Sequence, residues 1–277
     1  MSARTHDSDW FIHSPTPRLE RIEAYFGSHA YDPHRHDTYA IGVTLTGVQS
    51  FHYRGAQRHS LPGRTIVIHP DEVHDGHAGD AHGFRYRMVY VPPTVFQDML
   101  GGQPLPFLPG GITTDTRMAE SVLRLLRPID DPLETFEEDD ALFDLIGAMN
   151  TLAGTGAKPG IVDAVAAQRA RTFMDDSPQG RITLAQLEAA SGQNRWRLSR
   201  DFRLLFGTSP YRYLTMRRLE RCKRSLAQGL GLAEASLAAG FADQSHMTRQ
   251  FRDAYGISPG RWLKLTAQAS GQSRERG

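Results

Sequence analysis

Ala238-Ala239-Gly240-Phe241-Ala242-Asp243-Gln244-Ser245-His246-Met247-Thr248-Arg249-Gln250-Phe251-Arg252, followed closely by Tyr255-Gly256-Ile257-Ser258-Pro259, has an ungapped counterpart 49 residues upstream. Ala189 matches Ala238, Asn194 matches Asp243 and Leu198 matches Met247. Ser199-Arg200 aligns with Thr248-Arg249, Phe202-Arg203 with Phe251-Arg252, Phe206-Gly207 with Tyr255-Gly256 and Ser209-Pro210 with Ser258-Pro259. The register continues to Arg212-Tyr213-Leu214 and Arg261-Trp262-Leu263. One structural unit therefore occurs twice.

Each copy reads as a helix, a tight turn and a second helix. Leu184–Ala190 and Leu232–Ala239 are short Ala/Leu-rich helices that run into Ser191-Gly192 and Gly240-Phe241. Asn194 and Asp243 stand where an N-cap is needed, since their side-chain oxygens accept the orphan N–H groups of a first turn. Leu198, Phe202 and Phe206, with Met247, Phe251 and Tyr255 in the other copy, recur every four residues and form a stripe to be buried. Gly207 and Gly256 end these helices, and Ser209-Pro210 and Ser258-Pro259 start the next ones with proline in the first turn. Burying the stripe turns Arg195, Trp196, Ser199, Arg200 and Arg203 outward in the first copy. It does the same for Gln244, Ser245, His246, Arg249 and Arg252 in the second. Arg, Gln and Ser are the side chains that read base edges in the major groove, and the second helix of such a unit is the one that enters it. Leu214–Leu226, amphipathic and rich in Arg, joins the copies and would hold them at a fixed separation. If both bind together, their second helices meet successive groove segments about 34 Å apart.

Upstream the text changes. Gly154-Thr155-Gly156-Ala157-Lys158-Pro159-Gly160 cannot hold a helix and reads as an interdomain linker, 154–160. It divides a domain over 10–153 from one over 161–268. Between Trp10 and Pro92, β-rich segments such as Tyr39–Leu45, Ser50–Tyr53, Thr65–Ile68 and Arg85–Val91 alternate with Gly and Pro turns, which indicates a small antiparallel barrel or sandwich. Helices follow over Thr94–Leu100, Thr116–Leu126 and Thr135–Leu152. The last has Thr135 and Glu138 at capping-box spacing and an apolar stripe of Leu142, Leu145, Ile146, Met149 and Leu152. That stripe suits either the barrel of the same chain or a second copy.

Charge divides at the same joint. Residues 1–159 hold 13 Lys+Arg against 21 Asp+Glu, and residues 160–277 hold 19 against 10, within an overall balance of +1. Eleven of the 12 histidines precede residue 160. The basic half suits a phosphate backbone, whose neutralisation releases counterions. A single cysteine, Cys222, excludes an internal disulfide and a multi-cysteine zinc site. No apolar run reaches the roughly 18 residues of a membrane span, and the start lacks the apolar stretch of a signal peptide, so a cytoplasmic setting is expected.

Residues 161–265 resemble the DNA-binding domain of the AraC family of bacterial regulators, and the stretch quoted first is similar to that family's second-unit signature nearly position by position. The resemblance implies an all-α tandem helix-turn-helix domain of seven helices, with Trp196, Ser199 and Arg200, then Gln244, Ser245 and Arg249, facing bases. The chain departs from the pattern near Ala235 and Leu237, where the family usually carries Ile or Val. Residues 20–92 are similar to the AraC-type ligand-binding barrel, a member of the cupin group, in which His34, His36 and His74 match nitrogen ligands of metal-binding relatives. The accompanying carboxylate is missing from Tyr39–Leu45. The reading therefore places His34, His36, Tyr39 and His74 in a small-molecule pocket or at the barrel mouth, with no metal or cofactor assigned, and leaves His69, His77 and His82 on surface loops. The expected whole is an effector-controlled transcription regulator, more an activator than a repressor. Double-stranded DNA, a small-molecule effector, RNA polymerase and a second copy in a homodimer are its partners. A metal-dependent cupin enzyme fused to a DNA-binding module, and a constitutive DNA binder with a purely dimerising barrel, are the alternatives.

Overall fold

The computed structural model describes residues 9–15, 18–129, 131, 133–154, 162–176 and 182–274. Two antiparallel sheets open the chain. The larger has the order β1 (Trp10–Pro15), β2 (Glu20–Phe26), β9 (Phe84–Val91), β4 (Tyr39–Gly47), β7 (Thr65–Ile68) and β10 (Ile112–Thr113). The smaller is β3 (His29–His34), β8 (His74–Ala78), β5 (Gln49–Tyr53) and β6 (Ala56–Ser60).

Strand alternation explains both layers. Side chains along a strand point to opposite faces. Ile22, Ala24, Phe26, Ala40, Ile66, Ile68, Phe84, Tyr86 and Met88 fill the space between the sheets. Tyr39, Ile41, Val43, Val67, Val89 and Val91 face the other way. They pack beneath α1 (Pro93–Leu100), α2 (Thr116–Leu125) and α3 (Thr135–Ala153). Because both faces of the central strands are buried, Tyr39–Leu45 reads as an almost unbroken apolar run.

The α3 stripe is buried at Leu142, Leu145, Ile146 and Met149 against this sheet, whereas Leu152 at its end is 36% exposed. The helix also starts one residue earlier than its capping pattern suggests. Glu134, extended at φ −74° and ψ 149°, is the cap residue and its N–H donates to the Glu137 carboxylate at 3.2 Å, leaving Glu138 to turn inward near Arg18.

Two of the histidines assigned to surface loops are not there. His69 is 3% exposed, because Leu108 N–H donates to its Nε2 at 2.9 Å and its Nδ1 donates to the Tyr53 hydroxyl at 2.6 Å. His77 lies within β8, opposite Ser50 of β5 and His29 of β3. The linker over 154–160 lies, beyond Gly154, outside the described residues.

Seven helices make up the described C-terminal part: α4 (Ala164–Asp176), α5 (Leu184–Ser191), α6 (Arg195–Phe206), α7 (Pro210–Ala227), α8 (Leu232–Ala238), α9 (Gln244–Tyr255) and α10 (Pro259–Arg274). They build two cores. One gathers Leu187, Leu198, Phe202 and Phe206, the other Cys222, Met247, Phe251 and Ala254. The long α7 supplies Tyr213 and Leu214 to the first and Met216, Leu219 and Leu226 to the second, so it bolts the two units together. None of the helices among the described residues is long and apolar enough to cross a membrane.

Candidate functional site

The second helix of each unit is capped as its sequence requires. Asn194 accepts from the N–H groups of Trp196 and Arg197, and Asp243 accepts from that of His246. Gly207 and Gly256 take left-handed conformations, φ 69° and 66°, and close the last turns. On α6, Arg195, Trp196, Arg200 and Arg203 are exposed and Ser199 is half-buried. Trp196 is 74% exposed, with the Arg195 guanidinium 5.1 Å from its ring centre. A large aromatic held out in water beside a cation is available to an outside partner. Arg200 differs: its Nε reaches the buried Asp201 carboxylate at 2.8 Å, and that carboxylate also accepts the Asp163 N–H. Arg203 donates to the Ser199 hydroxyl and to its carbonyl. On α9, Gln244, Ser245, Arg249 and Arg252 are exposed, while His246 is half-buried with its ring edge-on to Phe241. Each unit thus brings its five selected residues onto one helix.

The far ends of the same two helices are held by the β-rich part. The last carbonyls of a helix lack intrahelical partners. Here Asp32 N–H donates to Gly256 O at 3.1 Å, Arg35 N–H to Asp253 O at 3.0 Å and Leu105 N–H to Leu204 O at 3.1 Å. Charge pairs reinforce the contact: Arg217 on α7 meets Asp37 at 2.6 Å, Lys223 meets Glu20 at 3.7 Å and Arg261 meets Asp9 at 3.4 Å. Burial works against the Arg217 charge, but Asp37 and Glu220 overcome it and hold its pKa above the usual arginine value.

Between the two parts lies a cavity walled by aromatic and aliphatic groups: Phe11, Tyr31, Tyr90, Met216, Tyr255 and Trp262. Its charged rim comprises Glu20, Asp37, Glu220 and Lys223, and His34 and His36 complete the wall. The Lys223 ammonium sits 4.8 Å from the Tyr255 ring centre and 5.4 Å from that of Trp262. Burial raises the Glu220 carboxyl above its ordinary range.

Of the four side chains expected at one pocket, His34, His36 and His74 come together, with centroids 4.2 Å apart for His34–His74 and 4.9 Å for His36–His74. Burial first, then mutual repulsion, pushes His34 and His36 well below the usual imidazole pKa, and burial brings His74 down to about 4. Tyr39 does not join them. Its hydroxyl donates to Pro106 O at 2.7 Å and its ring stacks on Phe96 beneath the helices, because it falls on the opposite face of β4. Lys223, Glu220, Tyr255 and Trp262 were not singled out for this cavity by the sequence, since they reach it from α7, α9 and α10. The opposite charges of the two halves were the one available signal of that contact.

Residues 16–146 match the AraC-like ligand binding domain, and residues 187–265 match a helix-turn-helix domain. Over 252 residues the chain is 24% identical to the uncharacterized HTH-type transcriptional regulator YbfI of Bacillus subtilis, covering 88% of this chain and 89% of that one. Over 88 residues it is 38% identical to the transcriptional activator NphR of a Rhodococcus species, 31% of this chain and 26% of that one. Among solved structures, ToxT of Vibrio cholerae with an unsaturated fatty acid bound matches at a TM-score of 0.62 and 10% identity, over 95% of this chain and 98% of that one. With a ligand-binding barrel ahead of two tandem helix-turn-helix units, the chain belongs to the AraC family of transcription regulators.

Proposed function

We propose that α6 and α9 enter successive major-groove segments of one operator, and that a small molecule in the interdomain cavity changes how firmly the barrel holds the ends of both helices. The observation that carries this reading is the set of three backbone hydrogen bonds from Asp32, Arg35 and Leu105 to the carbonyls that end α9 and α6. A ligand wedged between the same elements acts directly on the placement of the recognition helices, and differential affinity for two such placements is what a switch requires. Base reading is assigned to Arg195, Trp196, Ser199 and Arg200 in the first unit and to Gln244, Ser245, His246 and Arg249 in the second, with Arg203 and Arg252 nearer the phosphates. The ligand-binding domain spans 10–153 and the DNA-binding domain 161–268.

The effector is a largely apolar molecule with an acidic end. The aromatic wall supports this, as does Lys223, the lysine of the cavity lining. A fatty acid bound in a ToxT structure is consistent with it. The output is activation through a contact with RNA polymerase, in keeping with the activator NphR, and the chain works in the cytoplasm by binding rather than by catalysis. A homodimer forms through α2 and α3, whose Leu123 and Phe143 are 51% and 67% exposed beside the Arg124–Asp144 ion pair. The test is a thermal-shift panel of medium- and long-chain carboxylic acids, with DNA affinity measured by anisotropy. A saturable rise in melting temperature, a change in operator affinity, and loss of both in Lys223→Gln are expected. Acids that neither stabilise the protein nor alter its DNA binding would rule out this effector class.

A further inference from the structure

The long helix α7 has two polar faces, and only one of them meets the barrel. Arg217 and Lys223 pair with the barrel carboxylates Asp37 and Glu20, and Glu220 between them lines the cavity. Arg218 and Arg221, both half-buried, lie about 130° further round the helix at 3.6 residues per turn, on the side turned away from the barrel. Exposed Arg224 adjoins them. The recognition helices point to that same side. Their C-terminal carbonyls accept hydrogen bonds from barrel amides, so their N-terminal ends lead away from the barrel. Arg221 reaches this far side, where its Nη2 donates at 3.3 Å to Ala239 O in the turn that leads into α9. Burial, and then the charges of Arg218 and Arg224, hold Arg221 below the usual arginine pKa, and burial lowers Arg218 as well. Three like charges within two helical turns repel one another, and an anion set against them relieves that cost.

We propose that Arg218 and Arg221 grip backbone phosphates of the operator where its minor groove faces the protein, midway between the major-groove segments entered by α6 and α9. This rests on the reading that both helices lie on one duplex. Two major-groove segments one helical turn apart leave the strands that flank the minor groove passing between them. The 18 residues of α7 span about 27 Å from one unit to the other, and Arg218 and Arg221 stand near its middle, over that stretch. Charge complementarity, and continuity with the recognition helices on the same side of the molecule, select DNA over an acidic protein surface. A planar guanidinium fork matches phosphate oxygens. Such contacts carry no sequence information but fix position, so the helix that joins the units sets the register of both on the duplex.

Anisotropy titrations of the full-length chain on operator and random DNA, across a range of salt concentrations, test this. Each phosphate contact adds about 0.9 to the slope of log affinity against log salt, which is about eightfold in affinity at 0.1 M salt relative to 1 M. Arg218→Gln combined with Arg221→Gln should therefore weaken both DNAs alike, by about sixtyfold at 0.1 M, and flatten the slope by about 1.8. Arg218→Lys combined with Arg221→Lys keeps the charges and should keep the slope, whereas a loss caused only by the broken bond to Ala239 would appear in both double variants. Ethylation interference with the wild-type chain needs no variant, and should mark phosphates between the two major-groove segments. A Gln double variant with the wild-type slope, or interference confined to the phosphates beside those two segments, would overturn the proposal. So would wild-type DNA affinity with lost activation in vitro, which gives this face of α7 to RNA polymerase. Wild-type binding that ignores salt would refute the two-helix reading itself, and the proposal with it.

Discussion

Arg217→Ala should cost more than Asp37→Ala, although both break the same ion pair. Arg217 Nη2 lies 2.6 Å from Asp37 Oδ2 and 3.1 Å from Glu220 Oε1. Asp37 is 4% exposed and its Oδ1 has no hydrogen-bond partner, so Arg217 is what compensates that carboxylate. Removing the arginine leaves a buried anion uncompensated, which costs about 3–5 kcal/mol. Removing the aspartate leaves Arg217 paired with Glu220, and the loss falls to that of one hydrogen-bond partner, about 1–3 kcal/mol. At the 2.6 Å contact the attraction is worth about 6 kcal/mol at an effective dielectric of 20, before desolvation of both groups is subtracted, so a double-mutant cycle should return a coupling of about 1–3 kcal/mol. Urea unfolding gives the three stabilities. Hydrogen exchange then locates the loss, because the Asp32 and Arg35 amides bond across the interdomain contact and should lose protection by about tenfold for each 1.4 kcal/mol, while the barrel core keeps its own. If Arg217→Ala shifts stability by less than about 1 kcal/mol and those two amides exchange as in wild type, the domains are not docked through this pair.

Gly256→Ala and Gly192→Ala both force a positive φ on alanine, costing about 1 kcal/mol each, but only Gly256 has no room for the added carbon. A Cβ there would stand 2.7 Å from His34 Nδ1 and 2.8 Å from Asp32 O, whereas at Gly192 nothing lies within 4 Å. Thermal melts should therefore rank Gly256→Ala well below Gly192→Ala, and equal losses would contradict the close approach. The protein should lose stability as pH falls below the ordinary histidine value of 6.5, because His69 in the fold titrates only at about 3. Between those values the unfolded chain takes up a proton that the fold refuses, so this residue alone removes about 1.4 kcal/mol per pH unit. His34, His36 and His74 act in the same direction, and a flat stability profile between pH 6.5 and 4.5 would exclude buried neutral histidines. On operator DNA, Arg249→Ala should cost about 1–3 kcal/mol and relax base preference. Arg200→Ala should cost less, since its guanidinium gives up the Asp201 carboxylate to reach a base, and an anisotropy comparison that reversed this order would contradict that cost.

The tandem units were legible because their signals are local. A cap, a four-residue stripe and a helix-ending glycine each act within a dozen residues, and α6 and α9 begin and end where Asn194, Gly207, Asp243 and Gly256 require. The barrel was legible as strands but not as layers: Tyr39 and His36 are three residues apart, yet a strand face separates them, and alternation is invisible when both faces are apolar. His69 misled because a polar residue beside a turn carries no mark of the partner that buries it. The cavity depends on α7, α9 and α10 meeting the barrel, which no local pattern encodes. The surplus of arginine in the second half has two uses, and Arg212 and Arg217 serve the barrel rather than phosphate.

Two helices reading one duplex should leave a paired signature, and DNase I footprinting on an operator isolated from genomic fragments examines this directly. Two protected patches about 34 Å apart on one face of the DNA are expected. Gln244→Ala combined with Arg249→Ala should clear one patch and leave the other, while binding weakens steeply with added salt. A single patch that survives damage to either helix, or binding indifferent to salt, would contradict it.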